Sequence, residues 1–164
     1  MATTLTLIRH AKSGWDDPLL DDHDRFLAER GIDAATAMGR HLQSKSIAFD
    51  LVVCSDAQRT RQTADLLLAA MNSEAEVVLS PALYLASADQ MLAQIACHDA
   101  RRIAVIGHNP GVGTLANRLA SAAPDHPRFR DYPTCAVTQL AFDSAIKAGA
   151  GRVAHFIIPA DLKH

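Results

Sequence analysis

The chain has 164 residues, 49% of them hydrophobic and 21% charged, proportions of a globular protein able to bury a core without disulfides or a structural metal. That length fits one domain over residues 1–164 and leaves little room for a second. Sixteen Lys and Arg against 18 Asp and Glu give a net charge of −2, without the basic excess of a general nucleic-acid binder, although a few local arginines can still build an anion site.

Leu5-Thr6-Leu7-Ile8 is a short apolar, β-prone run that stops at Arg9, and it reads as a first strand. Ala11 to Arg25 is polar and Asp-rich and reads as a loop. Ile32, Ala35, Gly39 and Leu42 recur at helical spacing, predicting a helix from about Ala28 to Lys45. Asp50 to Cys54 reads as a second buried strand, followed by a helix marked by Ala64, Leu67, Leu68 and Met71. Val77 to Leu79 is a short strand, and a third helix begins near Ser87 with Met91, Leu92 and Ile95 on one face. Arg102 to Ile106 is a third strong strand, and Val112, Leu115, Ala116 and Leu119 mark a fourth helix. Ala122 to Pro133 reads as a surface loop, and the tail offers two more strands, Ala136 to Phe142 and Val153 to Ile158. This alternation predicts an α/β fold of three layers, α/β/α, with helices flanking a mostly parallel sheet. The continuous apolar character of the strands fits burial on both faces.

No apolar run is long enough to span a bilayer, and Arg9-His10 interrupts the N-terminal apolar stretch too early for a secretory signal. Cys54, Cys97 and Cys135 lie far apart with no CxxC, so reduced thiols and a cytoplasmic location are expected. The histidines show no HxxH, HExxH or Cys/His pairing at ligand spacing, so no metal and no other cofactor is expected. No coiled-coil seam is visible, and a monomer is favoured over a dimer through a sheet edge or helix face.

Three strands end alike. The first runs into Arg9-His10, the second into Ser55-Asp56-Ala57-Gln58-Arg59, and the third into Gly107-His108-Asn109-Pro110-Gly111. Ligands of open α/β sheets bind at the carboxyl ends of strands, so two arginines and two histidines converge on one edge. Each piece also has an ordinary reading. Arg9-His10 can be a polar strand end, Ser55 or Asp56 a helix cap with Arg59 on an exposed first turn, and Asn109-Pro110 an N-cap followed by a first helical residue. Their coincidence points instead to a phosphoryl site. Arginine forks grip phosphate bidentately, a helix N-terminus favours anions, a neutral imidazole can carry a phosphoryl group covalently, and a second can donate to its oxygens.

These residues resemble a known family. Leu7-Ile8-Arg9-His10-Ala11 is similar to the Arg-His-Gly motif of the histidine phosphatase superfamily, with Ala11 in place of the glycine. Ser55 to Ala64 is similar to its second motif, S-x-x-x-R-x-x-x-T-A, and Gly107-His108-Asn109-Pro110 to its third. Asp24-Arg25-x-Leu27-x-x-Arg30-Gly31 and the late Thr134-Cys135-Ala136-Val137 run resemble the SixA-type phosphohistidine phosphatases within it. The resemblance implies a phosphoglycerate mutase-like fold, His10 as phosphorylated nucleophile, Arg9 and Arg59 as the phosphate clamp and His108 as second imidazole. It also implies Asn109 as a backbone donor, and Lys12, Ser13 and Trp15 as candidate substrate contacts.

Two departures matter. Many members carry a glutamate general acid where this chain has Leu85 in Pro81-Ala82-Leu83-Tyr84-Leu85. General acid help is worth about 10²–10⁴-fold, and a phosphohistidine, whose leaving imidazole departs more readily than an alkoxide, suffers less without it. Asp22, Asp24 or Asp89 remain alternative proton sources. Asp16 stands where mutases tend to have a phosphate-holding asparagine. The expected function is therefore a metal-independent phosphatase acting on a histidine-phosphorylated protein. The alternatives are a phosphatase for small phosphate esters, or a phosphate- or phosphohistidine-binding module without turnover. Neither a nucleic acid nor a membrane is expected as partner.

Overall fold

The computed structural model describes residues 2–14 and 17–162. Trp15 and Asp16 lie outside the described residues. The strands are β1 (Thr3–Arg9), β2 (Leu51–Ser55), β3 (Glu76–Ser80), β4 (Arg102–Gly107), β5 (Val137–Phe142) and β6 (Arg152–Ile157). The helices are α1 (Glu29–Ser44), α2 (Gln58–Ala70), α3 (Ala88–Ala96) and α4 (Gly111–Leu119). The strands form one six-stranded sheet in the order β3-β2-β4-β1-β5-β6. The first four strands run parallel, whereas β5 is antiparallel to β1 and β6 to β5.

The pleat sorts the apolar strand residues between two layers, because successive side chains point to opposite faces. Leu5, Leu7, Leu51, Val53, Ile103 and Val105 pack with α3 and α4. Ile8, Val52, Cys54, Ala104 and Ile106 pack with α1 and α2. This is the expected three-layer arrangement, and burial on both faces explains why the central strands read as unbroken apolar runs. The two helix layers approach the chain closely: a Cβ on Gly31 would stand 2.1 Å from the Lys12 carbonyl oxygen, and one on Gly111 2.0 Å from that of Ala86.

Helix starts differ in detail from the sequence expectation. Ser87 caps α3 in a reciprocal capping box with Gln90. Ala57, not Ser55 or Asp56, precedes α2 and makes no side-chain cap, because both of those side chains are engaged elsewhere. Pro110 occupies the cap position of α4, one residue later than expected, yet Asn109 Oδ1 still accepts from the Gly113 N–H at 3.1 Å. The loop between β1 and α1 contains a 3-10 turn, Asp22–Asp24. Among the described residues no helix is long and apolar enough to cross a membrane.

The register aligns the strand ends. Arg9 pairs with Gly107, Cys54 with Ile106 and Ser55 with Ser80. The residues that follow each strand, His10, Asp56, Tyr84 after a 3-10 turn Pro81–Leu83, and His108, therefore emerge at one edge.

Candidate active site

His10 is fixed from four directions. Its backbone N–H donates to the Gly107 carbonyl at 3.1 Å, and its own carbonyl accepts from Cys135 at 3.0 Å. The next amide, of Ala11, donates to Thr63 Oγ1 at 3.0 Å. The ring Nδ1 stands 2.7 Å from the Ala11 carbonyl oxygen. A carbonyl only accepts, so Nδ1 carries the proton and Nε2 keeps its lone pair. Burial, with Arg59, Arg9 and Arg25 nearby, lowers the His10 pKa to about 4 against the opposing Ala11 bond. Near neutral pH this imidazole is uncharged and nucleophilic at Nε2.

His108 is 2% exposed, its ring centroid 5.4 Å from that of His10. Its Nε2 lies 2.8 Å from Ser55 Oγ, while Nδ1 is buried with no hydrogen-bond partner among the described residues. When the Ser55 hydroxyl donates to Nε2, Nδ1 bears the hydrogen and becomes a free donor. Burial first, then His10 and Arg59, lowers the His108 pKa to about 3.

Arg59 is 4% exposed, which settles its placement against the reading of an exposed first turn. Its Nη1 donates to the Asp22 carbonyl at 2.7 Å and Nη2 to Asp22 Oδ2 at 3.0 Å. Arg9 donates from Nη1 to the Tyr132 carbonyl at 3.1 Å, and its Nε is buried without a partner among the described residues. Burial and the neighbouring Arg59 lower the Arg9 pKa. Two permanent cations and two neutral imidazoles thus meet where four strands end, a set suited to hold a phosphoryl group and accept it covalently.

Other expected contacts are placed differently. Ser13 is buried and accepts from Arg25 Nη2 at 2.7 Å, so it positions Arg25. Lys12 is exposed. The Asn109 side chain is committed to the Asp131 and Tyr132 carbonyls, which leaves its backbone as the part available to an anion. Leu85 is 57% exposed with φ of 51° and offers no proton.

Sequence reasoning left out Tyr84 and the roles of Asp22, Arg25, His23 and Asp56. The Tyr84 hydroxyl donates to Asp22 Oδ2, and its ring meets His108 edge-on at 5.4 Å. Asp22 Oδ1 also accepts from Arg25 Nη1 at 2.9 Å. Burial works against the Asp22 charge, but bonds from Tyr84, Arg25 and Arg59 prevail and hold its carboxyl well below the usual range. Asp22 is thus an ionised acceptor rather than the proton source it was considered to be. Asp89 is paired with Arg118 at 2.6 Å, and Asp24 lies 3.6 Å from His23. The early hints at this cluster were the Asp24-Arg25 stretch of the family resemblance and the naming of Asp22 and Asp24 as proton sources.

A family model of the histidine phosphatase superfamily (branch 1) matches residues 5–84. A Nakamurella multipartita protein assigned as the phosphohistidine phosphatase SixA superposes with a TM-score of 0.81 at 32% identity, covering 97% of both chains. The protein histidine phosphatase SixA in complex with tungstate superposes with a TM-score of 0.81 at 22% identity, covering 98% of this chain and 100% of that one. An uncharacterized chloroplastic protein of Arabidopsis thaliana is 33% identical over 130 residues, which cover 73% of this chain and 60% of that protein's length. With the motifs at 9–10, 55–64 and 107–110 brought together by the sheet, the chain belongs to the histidine phosphatase superfamily.

Proposed function

We propose that this protein is a metal-independent protein phosphohistidine phosphatase working through a phosphorylated His10. The observation that carries the reading is the 2.7 Å contact from His10 Nδ1 to the Ala11 carbonyl. It fixes the tautomer and leaves Nε2 as a neutral nucleophile beside two arginines and a second imidazole. In the first step Nε2 attacks phosphorus while Arg9 and Arg59 hold the phosphoryl oxygens and His108 Nδ1–H donates to one of them. Water then hydrolyses the phosphorylated His10 and releases inorganic phosphate. The likeness to phosphohistidine phosphatases and the apolar residue at position 85 both favour a P–N over an alkyl P–O bond as the one broken.

The test is hydrolysis of a phosphohistidine protein and of an alkyl phosphate ester in parallel, by wild type and His10→Ala, with EDTA throughout. The expected result is loss of phosphohistidine in EDTA, abolished by the substitution, with phosphate trapped on wild-type His10. Full activity of His10→Ala would overturn the mechanism. Ester turnover above phosphohistidine turnover would move the substrate to small metabolites, and saturable phosphate binding without turnover would mark a binding module.

A further inference from the structure

A phosphoryl transfer must also deliver a proton to the leaving group, and the residues lining this site leave few sources. His10 and His108 are neutral, with pKa values of about 4 and about 3. Asp22 is ionised. Tyr84 already donates its hydroxyl to Asp22, and burial and that carboxylate raise its pKa. His23 differs from all of them.

The His23 ring packs edge-on against Tyr84 at 4.9 Å, whose ring also meets His108 at 5.4 Å and lies under the Arg59 guanidinium at 5.9 Å. This places His23 one ring beyond the second imidazole, and at 38% side-chain exposure it can exchange protons with water. Its Nε2 lies 2.9 Å from Asp56 Oδ1, on the connection that follows β2. Its Nδ1 stands 3.6 Å from Asp24 Oδ1, beyond hydrogen-bond distance. Asp56 therefore anchors Nε2, and Nδ1–H, held more loosely by the exposed Asp24, is the proton that can be given up. The groups facing His23 are Asp56, Asp24 and Tyr84, with His108 coupled to it electrostatically. The bond to Asp56 is the largest influence and raises the His23 pKa, with Asp24 acting in the same direction.

We propose that His23, anchored by Asp56, is the proton donor to the leaving group. This rests on the reaction proposed above. As the His10 Nε2–P bond forms and the bond from phosphorus to the leaving atom breaks, the electron pair stays on the leaving group. The proton from His23 Nδ1 neutralises it, at the bridging oxygen of an ester or the unsubstituted ring nitrogen of a phosphohistidine. His23, now neutral, takes one proton from the water that attacks phosphorylated His10. Phosphate leaves, and both histidines return to their starting states.

The test combines leaving-group and pH dependence in His23→Gln and Asp56→Asn. With phenyl phosphate and 4-nitrophenyl phosphate as probes, His23→Gln is expected to lose at least ~10-fold more kcat/KM on the phenyl ester, a lower bound on the usual general-acid contribution. The alkaline limb of the wild-type profile is expected to vanish in His23→Gln. In Asp56→Asn it is expected to move toward acid as the partner charge is lost. Equal losses on both esters, or an unmoved alkaline limb in both variants, would overturn the proposal. Trapping of phosphate on His10 in the same samples separates the two readings. If the phosphoenzyme forms while His23→Gln behaves uniformly, the His23 role alone fails. If none forms in wild type, the mechanism fails and the His23 role with it.

Discussion

Asp22 grips Arg59 twice, through its main-chain carbonyl at 2.7 Å and its carboxylate at 3.0 Å. An internal anion therefore sits on the guanidinium assigned to the substrate phosphate. In Asp22→Asn the charge disappears, and the single amide oxygen can accept from only one side, Arg25 or Arg59 with Tyr84. Inhibition by inorganic phosphate is then expected to strengthen about fivefold, the equivalent of about 1 kcal/mol for one charge removed from a partly wet site. Stability should fall by about 1–2 kcal/mol as one set of donors loses its acceptor and the other loses the carboxylate charge. Phosphate inhibition constants and denaturant unfolding check the two effects.

The pH response follows from burial of His10. Its folded pKa of about 4 lies below the ordinary 6.5, so between those values the unfolded chain binds a proton that the native state does not. Stability is therefore highest above the ordinary value and declines as pH falls toward 4. His10→Asn should flatten part of that decline, measured as Tm against pH. In the native enzyme, NMR titration of the His10 ring should show a midpoint near 4. A midpoint near the ordinary value would contradict the burial described.

Gly111 tests how tightly α4 is seated. An added Cβ would meet the Ala86 carbonyl oxygen at 2.0 Å, a backbone atom that cannot rotate away. Gly111→Ala should cost about 1–3 kcal/mol through overpacking. It should also lower kcat, because the helix start that must shift lies three residues after His108. Unfolding curves together with steady-state kinetics would show both effects.

The Tyr132 hydroxyl is buried, 2.7 Å from both the Leu7 carbonyl and Thr138 Oγ1, and ties the loop before β5 to the central strand. The same residue's carbonyl receives Arg9 Nη1 and Asn109 Nδ2. Tyr132→Phe should cost about 1–3 kcal/mol, the penalty of stranded buried partners. A change within experimental error in chemical denaturation would argue against this bond network.

The legibility of the fold followed the range of the forces. Leu51 to Ser55 and Arg102 to Gly107 announce themselves because a strand buried on both faces must be apolar throughout. The chemistry at their ends was legible for the same reason, since polarity switches on where the sheet stops. Asp22, His23, Asp56 and Tyr84 were not legible as a group. Their partners are 33 and 62 residues apart in sequence, and nothing local in an Asp-rich loop says which aspartate will meet an arginine. The missing acid directed the sequence reading to Leu85, whereas the side chain that enters the site is its neighbour Tyr84. Proximity in three dimensions, not residue type, selected these members.

The contrast between β1 and the Asp22–Asp24 turn has a consequence for how the protein breathes. β1 is hydrogen-bonded on both sides, by β4 and β5, so amides near His10 exchange with solvent only when the whole domain opens. The turn that carries Asp22 and His23 lies at the surface, closed by short local bonds and by side-chain ties to Arg59, Tyr84 and Asp56. Its opening is a local event of far lower free energy. The turn at the edge of the site can yield while the His10 ring stays as fixed as the core.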